Sequence, residues 1–564
     1  MRTKHPTQPM PPLVASHLPP TCLATRAMVR YYSTSTDAMD IQPRVFFYAQ
    51  DTWRATDKLT FSLGGRWQII WPEHTNKPGN GGFWNWDTDM IQVAGVGHVN
   101  LQGNVLNNYS YVEPRIGIAY QMTPKSMLRA GIGRDADPGF WGDTFGQLLT
   151  QTIPVLQAQS FNVGNGMKTD AARNPSDNSI YNIANAPDAP STISIPASGM
   201  FLLPVGEAPR TRSNRITMPD VYGWNVSYQW QVSPTLALSA AYVGSKTTHA
   251  VPSDGWAGYN VNDAPMYGYQ QHLTCNADQF YLRFGQLYPG VTNCGGWQAD
   301  MAGSSNAHYN AVQLVLDKRY SQGLQFQASY SYSHATGETG ANQFVNDHHI
   351  YWGEFGYNRR SWFKLYGGYD LPFGRGRQFG ANMNSFTNAI FGGFTLNATM
   401  DLASGLPYTA GFSNGCWSNV AFGDPTGVCF PNKAGKLSAK AGGLNTAGHY
   451  VSYFSPVTFK GNGDTEGPWQ FPAPYTWGNN GANNLFGPGM FTTDASLRKT
   501  FSLYEELKLA VEADVRNVFN HVNLQNPNSC IDCSNGGQIT DIIGGSNSSL
   551  GGMRQFEFGA HLTF

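Results

Sequence analysis

The chain has 564 residues, of which 13% are charged and 13% aromatic, with 63 Gly, 34 Pro and a formal net charge of -1. Soluble domains carry about 25% charged residues, the neutral balance excludes the broad basic footprint of a nucleic-acid-binding protein, and the Gly and Pro content argues against long helices. No run approaches ~18 consecutive apolar residues, so a transmembrane helix is excluded. The mean hydropathy of -0.35 leaves membrane-spanning strands open, because half of each such strand is polar.

In chain order, residues 1–43 read as a disordered or truncated N-terminal segment. "MRTKHPTQPMPPLVASHLPPTCLATRAMVR" is basic and broken by Pro. It lacks the unbroken apolar core of about 7 to 15 residues that a secretory signal needs. Residues 44–564 read as one unit. It opens with the strand "RVFFYAQDTW". Leu59, Phe61, Leu63, Gly65, Trp67 and Ile69 then alternate with Thr60, Ser62, Gly64, Arg66 and Gln68. Period-2 alternation of this kind marks a strand with one apolar face. Fainter alternation follows over 116–122 and 128–134. Tyr222, Trp224, Val226, Tyr228, Trp230 and Val232 alternate with polar or small neighbours. So do segments 236–244 and 312–320, the run from Leu324 to Tyr332, segment 394–402 and the run from Leu507 to Val515. The chain ends on "RQFEFGAHLTF". There Phe556, Phe558, Ala560, Leu562 and Phe564 share one face, and Glu557, Gly559, His561 and Thr563 the other.

These runs amount to roughly thirteen strands of about 9 to 12 residues. Soluble strands average about 5 to 6 residues, whereas a tilted membrane-spanning strand needs about 9 to 11. The connections sharpen the reading. Short turns, "RATDK", "TPK", "SPT", "SQG" and "SLYEE", alternate with long segments near 71–111, 135–220, 247–307, 335–360, 404–491 and 518–554. One medium turn, "PFGRGRQFGANMNSFTNAIFGG", takes a short turn's place. Compact soluble domains tolerate few loops above about 15 residues. Outer-membrane barrels show this asymmetry, with tight periplasmic turns and long outside loops. The expectation is an all-β fold: a transmembrane antiparallel outer-membrane β-barrel, its last strand running to a periplasmic C-terminus. Both the first and last clear strands run inward, so their number is odd, while single-chain bacterial barrels are even. An outward strand is therefore expected upstream of Arg44, with "AMVRYYSTST" its local candidate. The chain then lacks its beginning.

Of seven cysteines, six fall into local pairs in Gly/Asn-rich connections: Cys275 with Cys294, Cys416 with Cys429, and Cys530 with Cys533. That arrangement suits loop disulfides in an oxidising compartment. Cys22 is left over. "CIDC" also admits a metal or redox reading. No G-x-S-x-G, H-E-x-x-H or Walker loop is present, and the chain does not read as an enzyme. Asp347, His348, His349 and Glu354 in "NDHHIYWGEF" form a conceivable metal set. Adjacent His side chains point apart in extended chain, so no metal or cofactor is expected. "GNGGFWNWDTD" carries Trp84, Trp86 and Asp87, and "FPAPYTWGNNGANN" carries Tyr475, Trp477 and Asn479. Aromatic faces beside amide and carboxylate groups suit stacking on a sugar ring. The alternative is that they pack the long loops onto each other. Arg66, Glu512, Asp514 and Arg516 share faces with polar neighbours and are expected to line a lumen.

Four stretches together resemble the barrel of TonB-dependent outer-membrane receptors, specifically the Oar-like group. They are "FFYAQDTWRATDKLTFSLGGRWQ", "YDLPFGRGRQFG", "EADVRNVFNHVNLQNP" and the terminal "FEFGAHLTF". The resemblance covers residues 44–564. It implies a 22-stranded barrel with an N-terminal plug, of which this chain is expected to be the C-terminal barrel portion without the plug, and ligand uptake across the outer membrane. The ligand would be a glycan, peptide or siderophore. Implied partners are outer-membrane lipid, the barrel assembly machinery and, where a plug and TonB box lie upstream, the TonB complex. Two other classes stand beside this one: a passive pore or surface adhesin on the same barrel, and a secreted soluble all-β glycan-binding protein.

Overall fold

The computed structural model describes residues 28–32, 38–85, 88, 90–136, 149–150, 153–160, 193–202, 217–250, 259–260, 299–300, 305–338, 351–412, 430–433, 444–445, 450–454, 458–459, 465–466, 468–470, 478–504, 506–543 and 552–564. Its centre is a fourteen-stranded antiparallel sheet. Thirteen of those strands pair in strict chain order. They are β1 (Arg44–Arg54), β2 (Leu59–Ile70), β3 (Val112–Thr123), β4 (Ser126–Ala136), β5 (Asp220–Ser233), β6 (Leu236–Ala250) and β7 (Ser305–Ser321). After them come β8 (Leu324–Glu338), β9 (Ser361–Asp370), β10 (Phe394–Ala403), β11 (Met490–Tyr504), β12 (Leu507–Arg516) and β13 (Gln555–Thr563). The fourteenth, Trp352–Glu354, pairs only with the far end of β8. Among the described residues, no helix is long and apolar enough to cross a membrane.

Turn chemistry sets the meander. Gln322 and Gly323, between β7 and β8, both hold positive φ, 53° and 80°. Two such residues make the hairpin turn whose twist matches that of its strands. The 371–393 turn between β9 and β10 carries the one described helix, α1 (Ser385–Phe391). The long connections all leave the opposite end, spanning 71–111, 137–219, 251–304, 339–360, 404–489 and 517–554.

The register gives every strand the same two faces. A single outward row reads Ile132, Trp224, Gly244, Asn310 and His334 across β4 to β8. The next row towards the short turns reads Ala130, Val226, Tyr242, Val312 and Tyr332. On the far strands, Leu396 faces Leu497, Leu497 faces Ala513 and Ala513 faces Phe558. These apolar side chains are left open to the surroundings, Phe558 at 80% exposure. Soluble monomers rarely expose contiguous apolar patches beyond a few hundred Å². A face of this extent needs lipid against it. Aromatic rings gather towards its two ends. Trp53 stacks on Phe61 at 5.5 Å near the short turns, and Phe47 meets Trp67 at 5.8 Å near the long loops. Such rings form the interfacial girdles of membrane barrels.

Much of the conventional core lies in the loops. Tyr408, Phe412, Phe454, Trp469, Leu485 and Ile531 form one buried cluster, which joins connection 404–489 to connection 517–554. Phe83, Val105 and Leu149 form another. The loops therefore fold onto each other.

Two expectations change here. Met28–Tyr32, inside the segment expected to be disordered, is a strand paired antiparallel with Leu156–Ser160. It was also the candidate for an outward stave before β1. Its ladder partner is a loop segment, and among the described residues no strand pairs with the outer edge of β1.

Candidate functional site

The inner face of the sheet carries the charge. On β2, Arg66 Nε donates to Glu113 Oε2 of β3 at 2.5 Å, and Nη2 to Asp135 Oδ1 of β4 at 2.8 Å. Arg115 reaches the same Asp135 oxygen at 3.3 Å. Glu113 is 0% exposed, and Arg66 is the cation that lies against it. Gln68, also buried, donates to Ala136 O at 2.9 Å and ties β2 to the end of β4. Beside this network lies a cavity of about 840 Å³ lined by Gly64, Gly117, Gly131, Gly133, Arg66 and Asp135. Glycines there hold the wall back from the lumen, since nothing projects beyond the backbone.

A second concavity, about 700 Å³, lies on the inner face of β7 to β13 and is lined by Asp317, Tyr366, Asn397, Asp494, Asp514 and Arg516. Tyr366 Oη donates to Gln327 Oε1 at 2.6 Å. Ser496 Oγ donates to Glu512 at 2.6 Å, and Arg516 meets Glu557 at 3.5 Å. The register puts Arg66, Glu512, Asp514 and Arg516 all on this inner face. Arg66 and Arg516 find carboxylates outside that set of four. Glu113, Arg115 and Asp135 escaped sequence reading, although their strand parity with Arg66 was the available signal.

The loop candidates fare differently. Trp84 lies on the short strand Gly82–Asn85 and is 0% exposed. Its indole packs the loop interior and presents no face to a sugar ring. Asn479 is exposed, but it is a loop clasp: its side-chain oxygen accepts from Lys433 N at 2.7 Å, and its own N–H donates to Asn432 Oδ1 at 3.0 Å. Trp86, Asp87, Tyr475 and Trp477 lie outside the described residues, as do Cys22, Cys275, Cys294, Cys416 and Cys429. Cys530 and Cys533 are joined in a disulfide, Cα to Cα 5.5 Å. Asp347, His348 and His349 lie outside the described residues too. Glu354 is buried, and its Oε2 binds Arg360 at 2.7 Å and His334 at 3.2 Å. That carboxylate is engaged in holding Trp352–Glu354 to β8. At the same rim Arg359 Nη1 donates to Ser404 O at 2.5 Å, and burial lowers its pKa from the ordinary guanidinium value. Burial raises the phenol pKa of Tyr408 in the loop core.

A lipid-exposed apolar face, a charged inner face and folded loops at one end make one architecture. The family model described as an outer membrane beta barrel domain matches residues 23–557. The chain belongs to this outer-membrane β-barrel family. A search of curated proteins finds no match. Among solved structures, the barrel is similar to FpvA of Pseudomonas aeruginosa bound to heterologous pyoverdines, at 10% identity and TM-score 0.39, over 92% of this chain and 38% of that one. It is similar to the ferric-catecholate import receptor Fiu of E. coli K12, at 11% identity and TM-score 0.37, over 93% and 45%. It is also similar to the siderophore receptor PiuA of Acinetobacter baumannii, at 9% identity and TM-score 0.38, over 92% and 43%. The chain spans less than half the length of each of these structures. As an outer-membrane barrel, it has an inner wall that faces a lumen and an outer wall that faces lipid.

Proposed function

We propose that this barrel is the wall of a TonB-dependent receptor of the Oar-like group, which takes a ligand across the outer membrane. The short turns and the C-terminus face the periplasm, and the long loops face outside. The observation that supports uptake is the inner wall. Its fixed ion pairs and recessed glycine shelf give a polar, hydrogen-bonding surface that runs along the strands behind a lipid-facing exterior. Loops with their own buried cores suit a binding surface held in a set shape. The ligand is a glycan, a peptide or a siderophore.

The test is accumulation of labelled oligosaccharides, peptides and ferric siderophores by cells displaying the barrel, with and without a protonophore. Uptake of one class that stops when the proton gradient collapses supports the receptor. Uptake indifferent to the protonophore points to a passive pore. Surface binding without accumulation points to an adhesin.

A further inference from the structure

The turn between β9 and β10 is a built object on the lipid side of the wall. Helix α1 is capped by Asn384, whose side chain accepts from Thr387 N at 2.8 Å. Arg375 folds back over it: Nε donates to Met383 O at 3.1 Å, and the Arg375 N–H donates to Asn388 Oδ1 at 2.7 Å. The rings of Phe373 and Phe379 pair at 5.4 Å across the base of the turn.

Lys499 fixes where this object sits. Lys499 stands on β11 opposite Phe394 and Val511. Leu497, two residues before it, belongs to the outward apolar row, so Lys499 points outward as well. Its Nζ lies 4.7 Å from the Phe394 ring centre and 4.9 Å from that of Phe501. It also donates to Ala389 O of α1 at 2.5 Å. The helix therefore lies against the outside of the wall and covers Lys499, which is buried. A lysine facing lipid needs acceptors, because an unpaired charge there is costly. The carbonyls of α1 supply them.

The far side of α1 is apolar and bare. Phe386 is 74% exposed, Phe391 60% and Ile390 46%. Phe386 and Ile390 stand four residues apart and share one helix face. The charged residues of segment 371–393 are Arg375 and Arg377, both basic. An apolar helix face flanked by basic side chains is the pattern of an element lying in the membrane interface.

We propose that the 371–393 turn is an interfacial lipid anchor. Phe386, Ile390 and Phe391 enter the boundary between headgroups and acyl chains of the leaflet on the short-turn side, and the exposed Arg375 meets its phosphates, while Arg377 is turned to Asp370 at 3.7 Å. Two things argue for lipid as the occupant: the patch continues the lipid-facing wall through Lys499, and its charge complements an anionic headgroup layer. The anchor would fix the depth and tilt of the wall at that leaflet.

The test uses the full chain refolded in vesicles of phosphatidylethanolamine and phosphatidylglycerol, with a photoreactive benzophenone amino acid replacing Phe386 or Phe391. Phe558 on the outer wall is the lipid-facing control. Asp57, whose side chain is fully exposed in the β1–β2 turn at the same end, is the solvent control. Irradiation followed by mass spectrometry is expected to give lipid adducts at Phe386 and Phe391 severalfold above Asp57 and comparable to Phe558. Adducts at Phe558 but none at Phe386 and Phe391 overturn the proposal, as do adducts there to a second copy of the chain. Absence of lipid adducts at Phe558 as well overturns the lipid-facing assignment of the whole outer wall, and the anchor with it.

Discussion

Arg66 and Glu113 sit 2.5 Å apart on neighbouring strands, with the carboxylate wholly inside the protein. Removing one partner of a buried pair costs about 3 to 5 kcal/mol, because the other charge is left uncompensated. Arg66→Ala should approach that range, since Glu113 then has no cation against it. Glu113→Gln should cost less, because Arg66 keeps Asp135. Denaturant unfolding in detergent micelles, followed by gel mobility of unheated samples, measures the difference. Equal effects would place the stabilising contact elsewhere.

Leu314 faces lipid midway along β7, between Ala240 and Tyr330. Gln313, its neighbour, faces the lumen. Leu314→Arg should cost about 2 to 4 kcal/mol near the bilayer midplane. Gln313→Arg should cost little. The folded fraction after refolding into vesicles reads both, and a reversed order would mean that the faces are assigned backwards.

Phe564 follows the last strand and is 93% exposed, in outward parity with Leu562. Near the interface a charge costs only about 0 to 1 kcal/mol. Phe564→Asp should thus barely change stability in vesicles. If the assembly machinery reads this terminus, the same change lowers barrel yield in cells by far more than Thr563→Asp does. Thr563 faces Lys508 on the inner side. Equal yields for parent and both variants would rule out recognition of the terminus.

Cys530 and Cys533 close a loop only four residues long, beside the pairing of Ile531 N with Gly411 O at 2.9 Å. So short a loop restricts the unfolded chain little. Cys530→Ser should leave the sheet intact and raise protease sensitivity near residue 531. Peptide mapping under non-reducing conditions should also recover Cys275 linked to Cys294, and Cys416 to Cys429. Free thiols at those four positions, in protein from an oxidising compartment, would count against the pairing.

Trp84 packs inside the first long connection with no exposed surface. Trp84→Ala should cost about 3 to 5 kcal/mol through the cavity left behind. Hydrogen exchange should localise that loss to the loop layer, with β2 and β3 still protected. A loss spread over the sheet would show that loops and wall fold as one unit.

Alternation of apolar and polar residues by itself determined the membrane-spanning sheet, because a strand shows its two faces at every second position and lipid demands that one be apolar. Short turns alternating with long connections determined which end carries the loops. Two staves were blurred in the sequence for a physical reason. In β9, Trp362 and Tyr366 face inward, where Asp401 and Gln327 satisfy their polar tips, so aromatic residues occupy both faces. In β11, small outward residues such as Thr493 and Ala495 weaken the apolar stripe. Only the tertiary structure decided that Trp84 is core, that Glu354 holds Arg360, that Arg66 finds Glu113 and Asp135 across two strand boundaries, and that α1 rides outside the wall on Lys499. All of those but the Glu354–Arg360 pair, six residues apart, depend on residues far apart in the chain. Local periodicity carries no information about which distant groups meet, since loop packing and cross-strand register settle that after the strands have formed.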